Sequence, residues 1–158
     1  WDYTDNPELG ELPKPDMSWI DSIDREADKV KAIAYNQEII SLKNTKKENR
    51  TVKDIHSKER SVTDAEEQLR SNMDTLYYNL LEKRAALQAA ETALSQAELT
   101  WQGNQRRYQL GMLGRIEYLS TEIQYIQAKA ARDTARMNML QALNEYSWAL
   151  KGVVPTDL

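Results

Sequence analysis

The chain has 158 residues, 29% of them charged, with a net charge of −4, five glycines, four prolines and neither cysteine nor phenylalanine. Length makes it one domain, and the absence of cysteine excludes disulfides and thiolate metal sites. No stretch approaches the roughly 18 apolar residues that span a bilayer. Trp1-Asp2-Tyr3 lacks the basic start and apolar run of a signal peptide, which leaves the compartment open.

Residues 1–17 hold Pro7, Pro13 and Pro15 and read as an extended N-terminal arm. A helix over about 18–42 follows, capped by Ser18 or Asp21, with Ile20, Ile23, Ala27, Val30 and Ala34 at helical spacing. Residues 43–62 form a polar connector, either a loop or a solvated helical stretch. Its bases include Lys43, Lys46, Lys47 and Arg50. No aromatic residue interleaves them to stack a base, so the stretch reads as a solvated connector and nucleic acid is not expected as a partner.

From about Thr63 to Leu110 the pattern is strong. Met73, Leu80, Leu87, Leu94, Trp101 and Tyr108 recur every seventh position. The accompanying row is Leu69, Leu76, Lys83, Ala90, Ala97 and Asn104, shrinking and then turning polar along the chain. Such heptads mark a helix packed lengthwise on another helix. Gly111 suits the left-handed cap that ends a helix, and residues 111–114 form a tight reversal. A second long helix, about 115–151, carries two apolar stripes. One is Ile116, Leu119, Ile123, Ile126 and Ala130; the other is Ala128, Ala131, Ala135, Met139, Ala142, Tyr146 and Ala149. A single partner needs only one stripe, so two predict neighbours on both sides. The second stripe is expected to lack a partner within a simple hairpin and to drive self-association. Gly152 and Pro155 close the helix, leaving 153–158 as a tail. The fold class is therefore all-α: a long antiparallel, coiled-coil-like hairpin with one shorter N-terminal helix, in a single helical domain over 18–152.

Candidate chemistry is sparse. His56 is the only histidine and has no carboxylate constellation in sequence. Glu66 and Glu67 are adjacent, so on a helix they point to different faces. No Glu-x-x-His pair supports a di-iron site, and no phosphate-binding loop precedes a Gly-Lys-Ser/Thr ending. Neither a metal, a cofactor nor an enzymatic activity is expected. Gly103 in mid-helix either permits close approach of another backbone or is a tolerated surface glycine. Arg106, Arg107 and Arg115 cluster around the reversal, where cations complement a helix C-terminus or serve an acidic partner.

Tyr108-x-Leu110-Gly111-x-x-Gly114-x-x-Glu117-Tyr118-Leu119, with the closing Ala149-Leu150-Lys151-Gly152, resembles the TolC-like outer membrane efflux protein family. Ala27, Ala32, Asn36, Glu38 and Ile39 are similar to that family's first short helix, and Leu12-Pro13-x-Pro15-Asp16 to its entry linker. The resemblance covers nearly the whole chain as one family repeat. It implies a cell-envelope, extracytoplasmic protein whose hairpins wall a tunnel and whose tips meet a periplasmic-type adaptor, a membrane-fusion protein. The tip residues so implied are Leu110, Gly111, Met112, Leu113, Gly114 and Arg115, with Met112 and Leu113 expected to be exposed. Two departures stand out. Gly114 replaces a common Ser or Thr, and residues 43–62 show no strand alternation, so the family's barrel strands are missing. The expected function is a tunnel-wall or docking element of an export system, acting through helix–helix contacts. The alternative is a free-standing coiled-coil scaffold or adaptor without a transport role.

Overall fold

A computed structural model describes residues 13–44 and 51–154. Within them lie five helices: α1 (Met17–Asp21), α2 (Arg25–Tyr35), α3 (Gln37–Asn44), α4 (Val52–Gln109) and α5 (Arg115–Ala149). No strand occurs among the described residues. α4 and α5 form the long antiparallel hairpin, and α1–α3 lie against its root, the end away from the reversal. Residues 1–12 of the expected arm, 45–50 of the connector and 155–158 of the tail lie outside the described residues.

The single helix expected over 18–42 is three helices, and local capping explains why. Asp16, rather than Ser18, caps α1 by accepting from Ser18 N at 3.0 Å. Asp24, rather than Asp21, caps α2 by accepting from Glu26 N and Ala27 N. Asn36 ends α2 by donating its backbone N–H to Ala32 O and then caps α3 by accepting from Ile39 N. Short polar side chains that bond nearby backbone groups interrupt a helix even where its apolar spacing runs on.

α4 begins at Val52, eleven residues before the expected Thr63. Thr51 and Asp54 form a reciprocal capping box: Thr51 Oγ1 accepts from Asp54 N, and Thr51 N donates to Asp54 Oδ2. Residues 52–62 are thus helical though mostly exposed. Apolar periodicity reports which face is buried, not whether the backbone is helical, so a solvated helix leaves no stripe. At 1.5 Å per residue the 58-residue α4 is about 87 Å long.

The heptad assignment on α4 holds as far as Leu87; beyond it Leu94 and Trp101 are half-buried and Tyr108 is exposed. Leu69, Met73, Leu76, Leu80 and Leu87 are all buried. On α5 the two stripes exchange the roles expected of them. The row ending Met139, Ala142, Tyr146 and Ala149 is buried in the hairpin. The row of Ile116, Leu119, Ile123 and Ile126 is 87%, 40%, 55% and 58% exposed and is left uncovered among the described residues. Small alanines let the helix axes approach across a seam that α4 already fills with leucines. At the level of the isoleucines α5 turns Tyr118 and Tyr125 toward α4 instead, where they stack on Tyr108 and Trp101. Ile20, Ala32 and Ile39 of α1–α3 complete the same core from a third side.

Leu80 and Leu87 are 0% and 1% exposed. Leu→Ala at either should cost about 2–5 kcal/mol of unfolding free energy. Ile116→Ala in dilute protein should stay within about 0.5 kcal/mol of the parent. Urea unfolding followed by circular dichroism measures both; equal losses at all three positions would show the seam is misplaced.

Candidate functional site

The tip is closed by backbone geometry. Gly111 has φ of 71°. Its N–H donates to Tyr108 O at 3.0 Å, while Met112 N donates to Arg107 O at 2.8 Å. That paired pattern around a left-handed residue is the Schellman motif, which satisfies the last carbonyls of a helix. Gly114 then caps α5 at φ −71° without a side-chain bond, so its backbone asks nothing that Ser or Thr could not supply.

The six expected tip residues come together here but do not share one exposure. Leu110 and Met112 are 74% and 68% exposed, whereas Leu113 is 8% exposed. Leu113 thus departs from the expectation: the turn sends it inward, where it closes the open end of the helix pair. Ile116 extends the apolar tip along α5, and Arg106, Arg107 and Arg115 are exposed around it. Two aromatic pairs brace the hairpin behind the tip. Tyr108 stacks on Tyr118 with centroids 4.8 Å apart, and Trp101 on Tyr125 at 4.9 Å. Stacked rings hold the two helices in register without bulky interdigitation.

The residues weighed for chemistry do not converge. His56 is an exposed neighbour of Glu59, Nδ1 to Oε2 3.4 Å. Glu66 pairs with Lys43 at 2.6 Å. No group of acidic or histidine side chains that could hold a metal occurs among the described residues, and none of their helices is long and apolar enough to cross a membrane. A Cβ at Gly103 would meet nothing within 4 Å, so within this chain it is a surface glycine.

A second organised region, at the root, was not read from the sequence. Asp74 of α4 lies between Arg25 and Lys29 of α2, and Arg25 hydrogen-bonding, reinforced by Lys29, holds its carboxyl below the usual range. The Arg25 guanidinium also sits 5.1 Å and 5.3 Å from the ring centroids of Tyr77 and Tyr78. Asp21 pairs with Arg84 at 2.6 Å. The partners thus descend along α4, from 84 through 74 to 66, as α1–α3 advance, which fixes an antiparallel third layer. Tyr146 of α5 is buried and donates to Asp28 Oδ2 at 3.2 Å; burial, with the Asp28 charge adding to it, pushes its phenol well up. Gly152 completes the root. Its φ is 81°, its carbonyl accepts from Asn36 Nδ2 at 3.1 Å, and any Cβ there would collide with the Tyr35 and Asn36 backbone. The only hint in the sequence was Gly152 after the last helix.

The three glycines should separate cleanly. Gly103→Ala should add about 1 kcal/mol, because mid-helix glycine carries a backbone entropy cost. Gly111→Ala should cost about 1–2 kcal/mol for a left-handed L-residue. Gly152→Ala should cost more than Gly111→Ala, since strain and collision add. Thermal unfolding ranks them, and a harmless Gly152→Ala would refute the close approach.

Acid should loosen the root. The folded carboxyl of Asp74 titrates below the ordinary aspartate value, so its contribution is complete above that ordinary value and is lost as pH falls through the folded value. The stability difference between parent and Asp74→Asn should be constant near neutrality and vanish in that acid window. A difference that persists unchanged through strong acid would assign the loss to packing.

Compared with family models, curated proteins and solved structures, the chain matches none of them.

Proposed function

We propose that this chain is a non-enzymatic helix–helix docking module of the cell envelope, a TolC-like repeat without barrel strands. It serves an export system as a tunnel-wall or docking element, its tip engaging a membrane-fusion adaptor. The observation that carries this reading is the tip itself. A glycine-closed reversal at the end of a long hairpin presents Leu110 and Met112 at 74% and 68% exposure. Apolar side chains displayed on a turn are costly unless something covers them. Methionine adapts to irregular partner surfaces, and Arg106, Arg107 and Arg115 can donate to carbonyls or carboxylates around the rim. The motif Tyr108-x-Leu110-Gly111-x-x-Gly114 adds the family resemblance, and an extracytoplasmic location follows from that resemblance.

The test is binding to the membrane-fusion adaptor encoded beside the gene. Leu110→Glu with Met112→Glu should weaken binding at least about tenfold, by placing charge in an apolar contact, and Arg115→Glu should weaken it less. Both positions are exposed, so circular dichroism should show unchanged helicity. If the folded variants bind like the parent, the tip is only a turn and a scaffold role replaces this one.

A further inference from the structure

The uncovered stripe on α5 has the chemistry of a self-complementary seam. Ile116, Leu119, Ile123, Ile126 and Ala130 follow a strict three–four spacing, and all five are exposed. They run about 21 Å along one helix face, flanked by polar and charged residues. An apolar strip of this kind marks a contact site. Glu122 and Lys129 occupy one flank, seven residues apart, and neither enters an ion pair found among the described residues.

We infer that the stripe pairs with the same stripe of a second copy of this chain, antiparallel, about a two-fold axis between Gln124 and Tyr125. In that register Ile123 meets Ile126 of the second copy and Leu119 meets its Ala130, while Ile116 lies at the rim opposite Asp133, which stays paired with Arg132 of its own chain. The symmetry repeats each contact, as an isologous interface requires. The same register sets Glu122 beside Lys129 of the second copy, twice. Arg136, the next residue on that flank, is 8% exposed and turned into its own chain, so it does not confront Arg115 across the axis. The parallel arrangement is disfavoured by charge. It sets Asp133 directly against Asp133 of the second copy and leaves Glu122 and Lys129 opposite Gln127 and Thr134. In the antiparallel pair the two tips point in opposite directions and the α5 stripe is closed to any other helix. The inference stands on the stripe and does not rest on the docking function of the tip.

The chain has no cysteine, which makes site-directed crosslinking clean. Ile123→Cys and Ile126→Cys proteins, mixed and mildly oxidised, should give a disulfide-linked dimer several-fold more than either alone. Light scattering of the full chain should rise with concentration from 18.3 kDa toward twice that mass. Glu122→Lys should weaken the dimer about fivefold or more, because two pairs are lost and repulsion replaces them. The double exchange Glu122→Lys with Lys129→Glu should restore it. A strictly monomeric mass at millimolar concentration overturns the inference. Failure of the double exchange overturns it as well, and so does a stronger crosslink between Ile123→Cys and Gly103→Cys, which would place α5 on α4 of a second copy with tips level. Adaptor binding is read at Leu110 and Met112 and the pairing at Ile123 and Ile126, so the two ideas fail separately; an antiparallel pair, its tips apart, agrees with the docking form of the proposed function and excludes the tunnel-wall form.

Discussion

A row of leucines on one helix facing alanines on the next sets everything else in this molecule. Leu69, Leu76, Leu80 and Leu87 fill the space that Ala142 and Ala149 leave open, with Met139 and Tyr146 between them. Large against small brings the axes close and fixes the rotation of both helices. Once α5 has spent its alanine face on that seam, its isoleucine face must point to solvent. The exposed stripe is thus a geometric consequence of the core.

The third layer depends on the same seam. Of apolar residues, α1–α3 bring only Ile20, Ala32 and Ile39 into full burial, beside the charged Asp28 and Lys29. Much of their attachment is polar: Asp21 to Arg84, Arg25 and Lys29 to Asp74, Asp28 to Tyr146, Asn36 to Gly152. Directional bonds of this kind specify position more than they add free energy, since exposed pairs are individually weak. Asn36 is the most economical of them. One side chain stops α2, starts α3 and ties the end of α5 to both.

The hairpin, its reversal at Gly111 and the buried heptad row were legible because each leaves a periodic or conformational mark in the sequence. What could not be read is equally specific. The helical backbone of 52–62 rests on a capping box, Thr51 with Asp54, and its exposed side chains leave no stripe. The breaks in 18–42 come from Asp24 and Asn36, whose local bonds override periodicity. Two stripes on α5 were visible, but choosing the inner one required knowing which residues of α4 stand opposite, a long-range fact. At the tip, the family resemblance implied Leu110 to Arg115 as a group; only the path of the turn separates Leu113, inside, from Met112, outside. The root escaped notice because its partners lie far apart in sequence, Asp28 and Tyr146 or Asn36 and Gly152, and nothing in either neighbourhood announces the other.

Burial along the hairpin is uneven, and that has a mechanical consequence. Full burial is concentrated between Leu69 and Leu87 on α4 and from Arg136 to Ala149 on α5. Among the described residues from Gln88 to Ala135, only Leu113 is fully buried. Segments with few buried contacts open at lower free energy than the core they adjoin. Amide exchange should therefore be graded along each arm, fast toward the reversal and slow at the base. With its outer half held by stacked rings and its inner half by leucines, the hairpin has a firm base and an outer half that gives way first, its two helices still tied together by the reversal.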